Sequence, residues 1–291
     1  MGKRVFLFLL TNLAILVVLS VVWSLLGVGD LVDPEGRIAY GPLALWSLLW
    51  GMGGAFISLQ LSRWVAKRAM GVHLVDGRTG DDRLDWLYNT VANQARQAGL
   101  PTPEIGVYDS PEVNAFATGP SRKRSLVAVS TGLLGAMERN EAEAVLAHEV
   151  SHIQNGDMVT MTLIQGVINA FVIFVARLAA FAVRQFVDSR IAGLLSFVVM
   201  IVLQIVLGIL GSLVTAWFSR RREFRADAGG AALAGRENMA AALRRLLSTQ
   251  QAVDTSNPAL AAFKIAGKKG WMAAFSTHPP LEVRIAALER G

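Results

Sequence analysis

Residues Ala147-His148-Glu149-Val150-Ser151-His152 place two of the chain's four histidines four positions apart, with a glutamate beside the first. At these residue frequencies His-Glu-x-x-His would arise by accident only about 0.002 times in a chain of 291 residues. Positions i and i+4 of a helix share a face. Both imidazoles can therefore reach one ion at about 2.0–2.1 Å, the ordinary zinc–nitrogen distance. A catalytic zinc takes a third protein ligand and keeps one position open. The candidate for that ligand is Glu223, in Glu223-Phe224-Arg225-Ala226-Asp227. Glu149 would then stand beside a metal-activated water as general base, able to pass its proton on to a leaving amine. Asp227, one turn beyond Glu223, can accept a hydrogen bond from the outer ring nitrogen of a ligating histidine and fix its tautomer. The competing reading is a charged helix face, with Glu223 serving Arg220 or Arg222 and Asp227 an ordinary i, i+4 partner.

Those residues have to be positioned by very apolar elements. The chain is 53% hydrophobic and 17% charged, with a mean hydropathy of +0.43, more apolar than a soluble enzyme of this length. Four runs carry no charge at all: Val5 to Val28, Ile38 to Ser62, Met158 to Ala176 and Ile191 to Ser219. A helix needs about 20 apolar residues to cross a ~30 Å hydrocarbon core, so all four are expected to span. The first reads as a retained anchor rather than a signal peptide. The third is the least regular, with Thr160, Thr162, Gln165 and Asn169 inside it and Arg177 at its far end; a buried helical hairpin is its alternative.

Removing the spans divides the chain into an anchor at 1–62, polar segments at 63–157 and 220–291, and a hairpin at 158–219. The two polar segments together make one domain of ordinary size. Apolar spacing predicts a helix from Asp81 to Gly99. Short strands are expected at Glu104 to Tyr108, Val113 to Thr118 and Ser125 to Val129. Asn140 and Glu143 read as a capping box for the histidine helix, Glu141 to Gln154, which Asn155-Gly156 stops. Further helices are expected at about Arg220 to Ala234, Glu237 to Leu247 and Pro280 to Arg290. Thr249 to Ser276, with Lys268, Lys269 and Trp271, reads as a mobile, solvated or lipid-brushing loop. An antiparallel hairpin of the last two spans would bring Glu223 back toward His152.

Lys3, Arg4, Arg63, Lys67, Arg68, Arg220, Arg221 and Arg222 flank the runs on one side, while Gly29 to Arg37 carries Asp30, Asp33 and Glu35 against one arginine. The positive-inside rule puts both termini and the polar segments in the cytoplasm; Arg184 and Arg190 in the short turn weigh the other way. The net charge of +6 thus has a lipid-bilayer explanation, and no nucleic-acid module is visible. The chain has no cysteine, which excludes disulfides and thiolate ligands.

Taken together, the zinc motif, Glu223-x-x-x-Asp227, Asn114-Ala115-Phe116-Ala117-Thr118-Gly119, Ser276-Thr277-His278-Pro279-Pro280 and the four runs resemble the HtpX family of bacterial membrane zinc proteases, essentially end to end. The resemblance implies an α-helical integral membrane protein with four transmembrane helices and a cytoplasmic α+β zincin-like metalloprotease domain. It implies one zinc per chain held by His148, His152 and Glu223, with Asp227 orienting His148. It further implies an inner-membrane endopeptidase that removes damaged or misassembled membrane proteins under envelope stress. The alternatives are a processing protease for lipid-modified or specific membrane substrates, and an inactive membrane scaffold.

Two other site assignments are weaker in the residues themselves. Asn114, Ala115 and Phe116 are a core strand or, as an edge strand, a backbone partner for extended substrate. His278, stiffened by the following prolines, is an oxyanion donor or a helix-entry residue that only packs. His73 reads as a surface-loop residue. No phosphate-binding Gly-x-x-x-x-Gly-Lys-Ser/Thr loop is present, so ATP-driven unfolding of substrates would need a partner such as an ATP-dependent membrane protease.

Overall fold

A computed structural model describes residues 2–26, 31–32, 37–256 and 276–290. It divides into two compact units, one formed by residues 1–59 and 160–215, the other by 60–159 and 216–291.

The first unit is built of apolar helices. α1 runs Gly2–Leu26. α2, Tyr40–Leu48, passes through a π-helical turn at Leu49–Gly53 into α3, Gly54–Met70. α7, Asp157–Phe186, and α8, Ser189–Ala234, follow later in the chain. Among the described residues, three helical stretches are long and apolar enough to cross a membrane: Tyr40–Met70, Asp157–Phe186 and Ser189–Ala234. Small residues let them touch closely. A Cβ on Gly51 would lie 2.3 Å from the Ala170 backbone nitrogen, and one on Gly211 would lie 2.4 Å from Ile168 Cγ2, the close approach that helices use where lipid removes the hydrophobic drive. Two polar residues of the third run, Gln165 and Asn169, are satisfied there with help from Thr215 of the fourth. Gln165 donates to Asn169 at 2.8 Å, and Thr215 donates to Gln165 at 3.3 Å.

α8 differs from the sequence expectation. The span and the helix starting near Arg220 are one continuous helix of 46 residues, about 69 Å at 1.5 Å per residue and over twice the hydrocarbon thickness. Nothing between Gly211 and Gly229 breaks a helix, and Arg220, Arg221 and Arg222 are good helix formers.

The second unit is α+β. A four-stranded sheet, β1 (His73–Val75), β2 (Glu104–Tyr108), β3 (Ala115–Ser121) and β4 (Arg124–Ser130), has the order β1-β2-β4-β3. β2 and β4 are parallel, while β1 and β3 pair antiparallel along the two edges. His73 lies in edge strand β1 rather than in a loop. The central strand β4 is apolar on both faces, as burial on both sides demands. Val127 and Val129 pack with Leu87 and Val91 of α4 (Asp82–Gln97) and with Leu146 and Val150 of α6 (Arg139–Asn155). Leu126 and Ala128 pack on the other face with Tyr108, Ala66 and Met70. α9 (Arg236–Ser256) and α10 (Leu281–Arg290) close a second cluster with α6 and the short α5 (Thr131–Ala136), around Leu133, Val145, Leu243 and Leu288.

Two boundaries shift for local reasons. The capping box of α6 is Glu138 with Glu141 rather than Asn140 with Glu143. Met137, packed with Leu133 in the core, fixes the chain's entry two residues earlier. β3 runs past the expected end at Thr118 through a bulge at Gly119-Pro120, with Gly119 at φ +143° and a register shift between Thr118 and Ser121. α9 also carries helix through Ser256, the first part of the stretch expected to be loop; the remainder of that stretch, with Lys268, Lys269 and Trp271, lies outside the described residues.

Candidate metal centre

His148 and His152 stand one turn apart on the buried face of α6, held there by the packing of Leu146, Val150 and Ile153. The helix stops where the sequence says it should: Gly156 takes the left-handed conformation at φ 69°, and α7 starts at once with Asp157. That tight junction turns Asp157 back onto the site. Its Oδ2 accepts from His152 Nδ1 at 2.7 Å. On the other imidazole, Asp227 Oδ1 lies 3.0 Å from His148 Nδ1. The Asp157 carboxylate holds the His152 ring proton on Nδ1, Asp227 is the carboxylate within reach of His148 Nδ1, and both Nε2 atoms face inward.

There the two Nε2 atoms are 3.1 Å apart. α8 brings Glu223 between them, with Oε2 at 3.6 Å from His148 Nε2 and Oε1 at 3.5 Å from His152 Nε2. Glu223 is 1% exposed, and its Oε1 has no hydrogen-bond partner. Lone pairs and a carboxylate converging this closely must share a cation, either protons on the imidazoles or a metal ion, because without one they would be repulsive and costly to bury. A tetrahedral ion with ligand bonds of about 2.0–2.1 Å separates its donors by about 3.3 Å. The observed 3.1 to 3.6 Å spacing fits such an ion, and these three residues are the group among the described residues able to hold one.

The electrostatics agree. Burial pulls the His152 pKa down, but the Asp157 and Glu223 carboxylates outweigh it and push it up to about 9. His148 rises as well, because Asp227 and Glu223 offset its burial. Burial opposes ionisation of Glu223, yet His148, His152 and His278 hold its pKa below the usual carboxylate range. Asp227 is likewise held low, against burial, by Arg284 and His148. Without a metal the cavity therefore keeps protons on imidazole at neutral pH, and ligation must expel them. Calorimetric titration of zinc into chelator-stripped protein, in two buffers of different ionisation enthalpy, should read release of about one to two protons per zinc at pH 7. Because the raised pKa is near 9, apparent affinity should climb with pH from 7 toward 9 and then level. Binding at pH 7 with no proton release would contradict this charge balance.

The remaining candidates fall around this centre. Glu149, beside His148, lines a cleft of about 160 Å³ together with Asn114, Ala115, Glu223, His278 and Arg284. Asn114 is tied to Ser130 through its backbone N–H and C=O, and Ala115 and Phe116 begin β3 at the free edge of the sheet. His278 brings Nδ1 to 3.0 Å from Glu223 Oε2 while its side chain is 60% exposed, so it stands at the mouth of the cleft rather than in the core.

Two residues escape a sequence reading. Asp157 is five positions after His152, a spacing with no helical meaning until Gly156 folds the chain back. Arg284 is buried and clamps Asp227 with two hydrogen bonds, Nε to Oδ2 at 2.7 Å and Nη2 to Oδ1 at 2.6 Å, while Nη1 lies 3.3 Å from Glu223 Oε2. Its signal was available: Leu281, Arg284, Ile285 and Leu288 put a charge on the apolar stripe of α10, and a buried charge demands a partner.

The profile of Peptidase family M48 matches residues 81–291. A protein described as Protease HtpX homolog from Nitrosomonas europaea is 50% identical, covering 99% of each chain. Protease HtpX from Shewanella sp. is 51% identical, again over 99% of each. Among solved structures, the crystal structure of S. mikatae Ste24p superposes with a TM-score of 0.66 over 99% of this chain and 67% of that one. At 17% identity this last likeness is one of fold.

Proposed function

Because the chain belongs to peptidase family M48, in its HtpX branch, and is a membrane metalloprotease, we propose that it is a zinc-dependent endopeptidase acting on damaged or misassembled membrane proteins under envelope stress. The observation that carries this reading is the convergence of two imidazole Nε2 atoms and the unsatisfied Glu223 carboxylate within 3.1 to 3.6 Å.

In this reading His148, His152 and Glu223 hold one zinc. The bound ion supplies Lewis acidity, which lowers the pKa of water toward neutrality and polarises a peptide carbonyl. Glu149 takes the proton from the water that adds to the carbonyl carbon, then hands it to the amide nitrogen as the C–N bond breaks. Asp227 and Asp157 keep the ring protons on Nδ1, so that both Nε2 atoms stay free to ligate. Arg284 fixes Asp227. His278, at the cleft mouth, donates to the carbonyl oxygen as negative charge grows on it. Ala115 and Phe116 offer strand-edge backbone to an extended substrate segment, and Asn114, whose own backbone groups are taken by Ser130, presents its side chain from the cleft wall.

The test is degradation of casein by the purified protein. Turnover should vanish with a zinc chelator and return on adding zinc; undiminished turnover in chelator would sink the proposal.

We further place the protein in the bacterial inner membrane with four spans, α1 being the fourth, and with the site and both termini cytoplasmic. The distribution of Lys3, Arg4, Arg63, Lys67, Arg68 and Arg220 to Arg222 supports this. Single cysteines introduced into this cysteine-free chain should label from outside at position 188 and only from inside at position 81. Outside labelling at 81 would invert the placement. Unfolding of substrates by ATP hydrolysis falls to a partner, such as an ATP-dependent membrane protease.

A further inference from the structure

The unit of apolar helices contains a cavity of about 260 Å³ that the peptidase chemistry does not use. Its walls come from α2, α7, α8 and the short bridge between Val32 and Ile38, and it is lined by two arginines, Arg177 and Arg184, among apolar side chains such as Phe181 and Phe197. The arginines are seven residues apart on α7. That is two turns, so they share a face and stand about 10 Å apart along the axis.

An ionisable side chain within an apolar helix is costly and marks a functional site unless its partner is found. Here the partners found are weak ones. The Arg177 guanidinium stacks over the Trp46 ring, 3.8 Å from its centroid. Arg184 Nε donates to the Ser196 hydroxyl at 3.3 Å. The ion pairs of the described residues involve neither arginine. Both arginines line the cavity, and a guanidinium fork suits the bidentate geometry of a phosphate.

The surroundings identify what carries that phosphate. The outer surface of the same helices is apolar and open. Leu194 is 71% exposed, and Phe197 and Phe186 are also exposed. Acyl chains can lie against these side chains while the headgroup enters between the helices. The volume is close to the lower end of small-molecule sites, roughly 300–1,000 Å³, too small for a folded peptide segment and sufficient for a glycerophosphate headgroup. Trp46 lies in the second turn of α2, and indole rings near the ends of spans favour the headgroup region.

We propose that Arg177 and Arg184, with Trp46 and Ser196, form a binding site for the phosphate of an anionic phospholipid, seated between α2, α7 and α8. This goes beyond the peptidase reading and is independent of it.

The experiment uses the full-length protein in nanodiscs of phosphatidylcholine alone or with phosphatidylglycerol, reading retained lipid by native mass spectrometry and stability by thermal melting. The wild type should retain phosphatidylglycerol in preference to phosphatidylcholine and melt higher in its presence. In the Arg177→Gln/Arg184→Gln double variant that preference should be lost, because the charge-assisted donors to the phosphate are gone. Arg177→Lys/Arg184→Lys, which keeps the charge but not the bidentate fork, should fall between the two, and zinc content should be the same in all three. The lysine variant and the wild-type lipid preference decide the matter even if the glutamine variant folds poorly. The proposal is overturned if the wild type shows no preference, or if the glutamine variant keeps phosphatidylglycerol as the wild type does. It is equally overturned if millimolar inorganic phosphate displaces the lipid and reproduces the stabilisation, since the site would then serve a soluble anion.

Discussion

Glu149→Gln should retain one zinc per chain and lose roughly 10²–10⁴-fold in peptide turnover, the ordinary contribution of a general base. The substitution is nearly isosteric, and Glu149 is half-buried on the cleft side of α6 rather than in the core, so little packing is disturbed. The three ligand atoms come from other residues and keep their spacing. What changes is that an amide cannot take a proton from water or deliver one to the leaving nitrogen. The loss should therefore fall on kcat at unchanged zinc content, measured by elemental analysis on the same preparation. A Glu149→Gln protein turning over casein at the wild-type rate would remove Glu149 from the mechanism.

Glu223→Ala should lose both metal and activity. Glu223 is 1% exposed and is approached by His148, His152, His278 and Arg284. Removing its carboxylate leaves two imidazoles to hold the ion and strands the Nη1 group of a buried arginine. The contrast with the outer carboxylates is informative. Asp157→Asn and Asp227→Asn spare the ligands and disturb only the ring tautomers, so zinc should bind about 10–100-fold more weakly and excess zinc should restore turnover. Full zinc content in Glu223→Ala would mean that another residue supplies the third ligand.

The parts of this arrangement that were legible beforehand share a cause: their signal is local. His148 and His152 announce themselves by i, i+4 spacing, Gly156 by the need for a left-handed residue at a helix end, and β4 by an unbroken apolar run. Glu223 is the exception: its signal is topological, because an antiparallel hairpin of the last two spans returns the chain toward His152. Asp157 and Arg284 were not found, since each acts through tertiary placement. Asp157 depends on a sharp reversal at one glycine, and Arg284 on a helix 57 residues after its partner Asp227. The capping box shows a different failure. Glu138-x-x-Glu141 and Asn140-x-x-Glu143 are both plausible in sequence, and only the burial of Met137 chooses between them. The continuity of α8 was missed because a charged triplet reads as the end of a span, although charge ends a membrane crossing without ending a helix.

The most direct test of the account is zinc-edge X-ray absorption on the purified full-length protein, with zinc stoichiometry measured on the same sample. The result expected is one zinc per chain, with two imidazole nitrogens at about 2.0–2.1 Å and the remaining shell filled by oxygen, and loss of that signal in Glu223→Ala. Zinc well below one per chain after zinc-supplemented purification, or a shell of oxygens without imidazole, would contradict the central claim that His148, His152 and Glu223 form a metal centre.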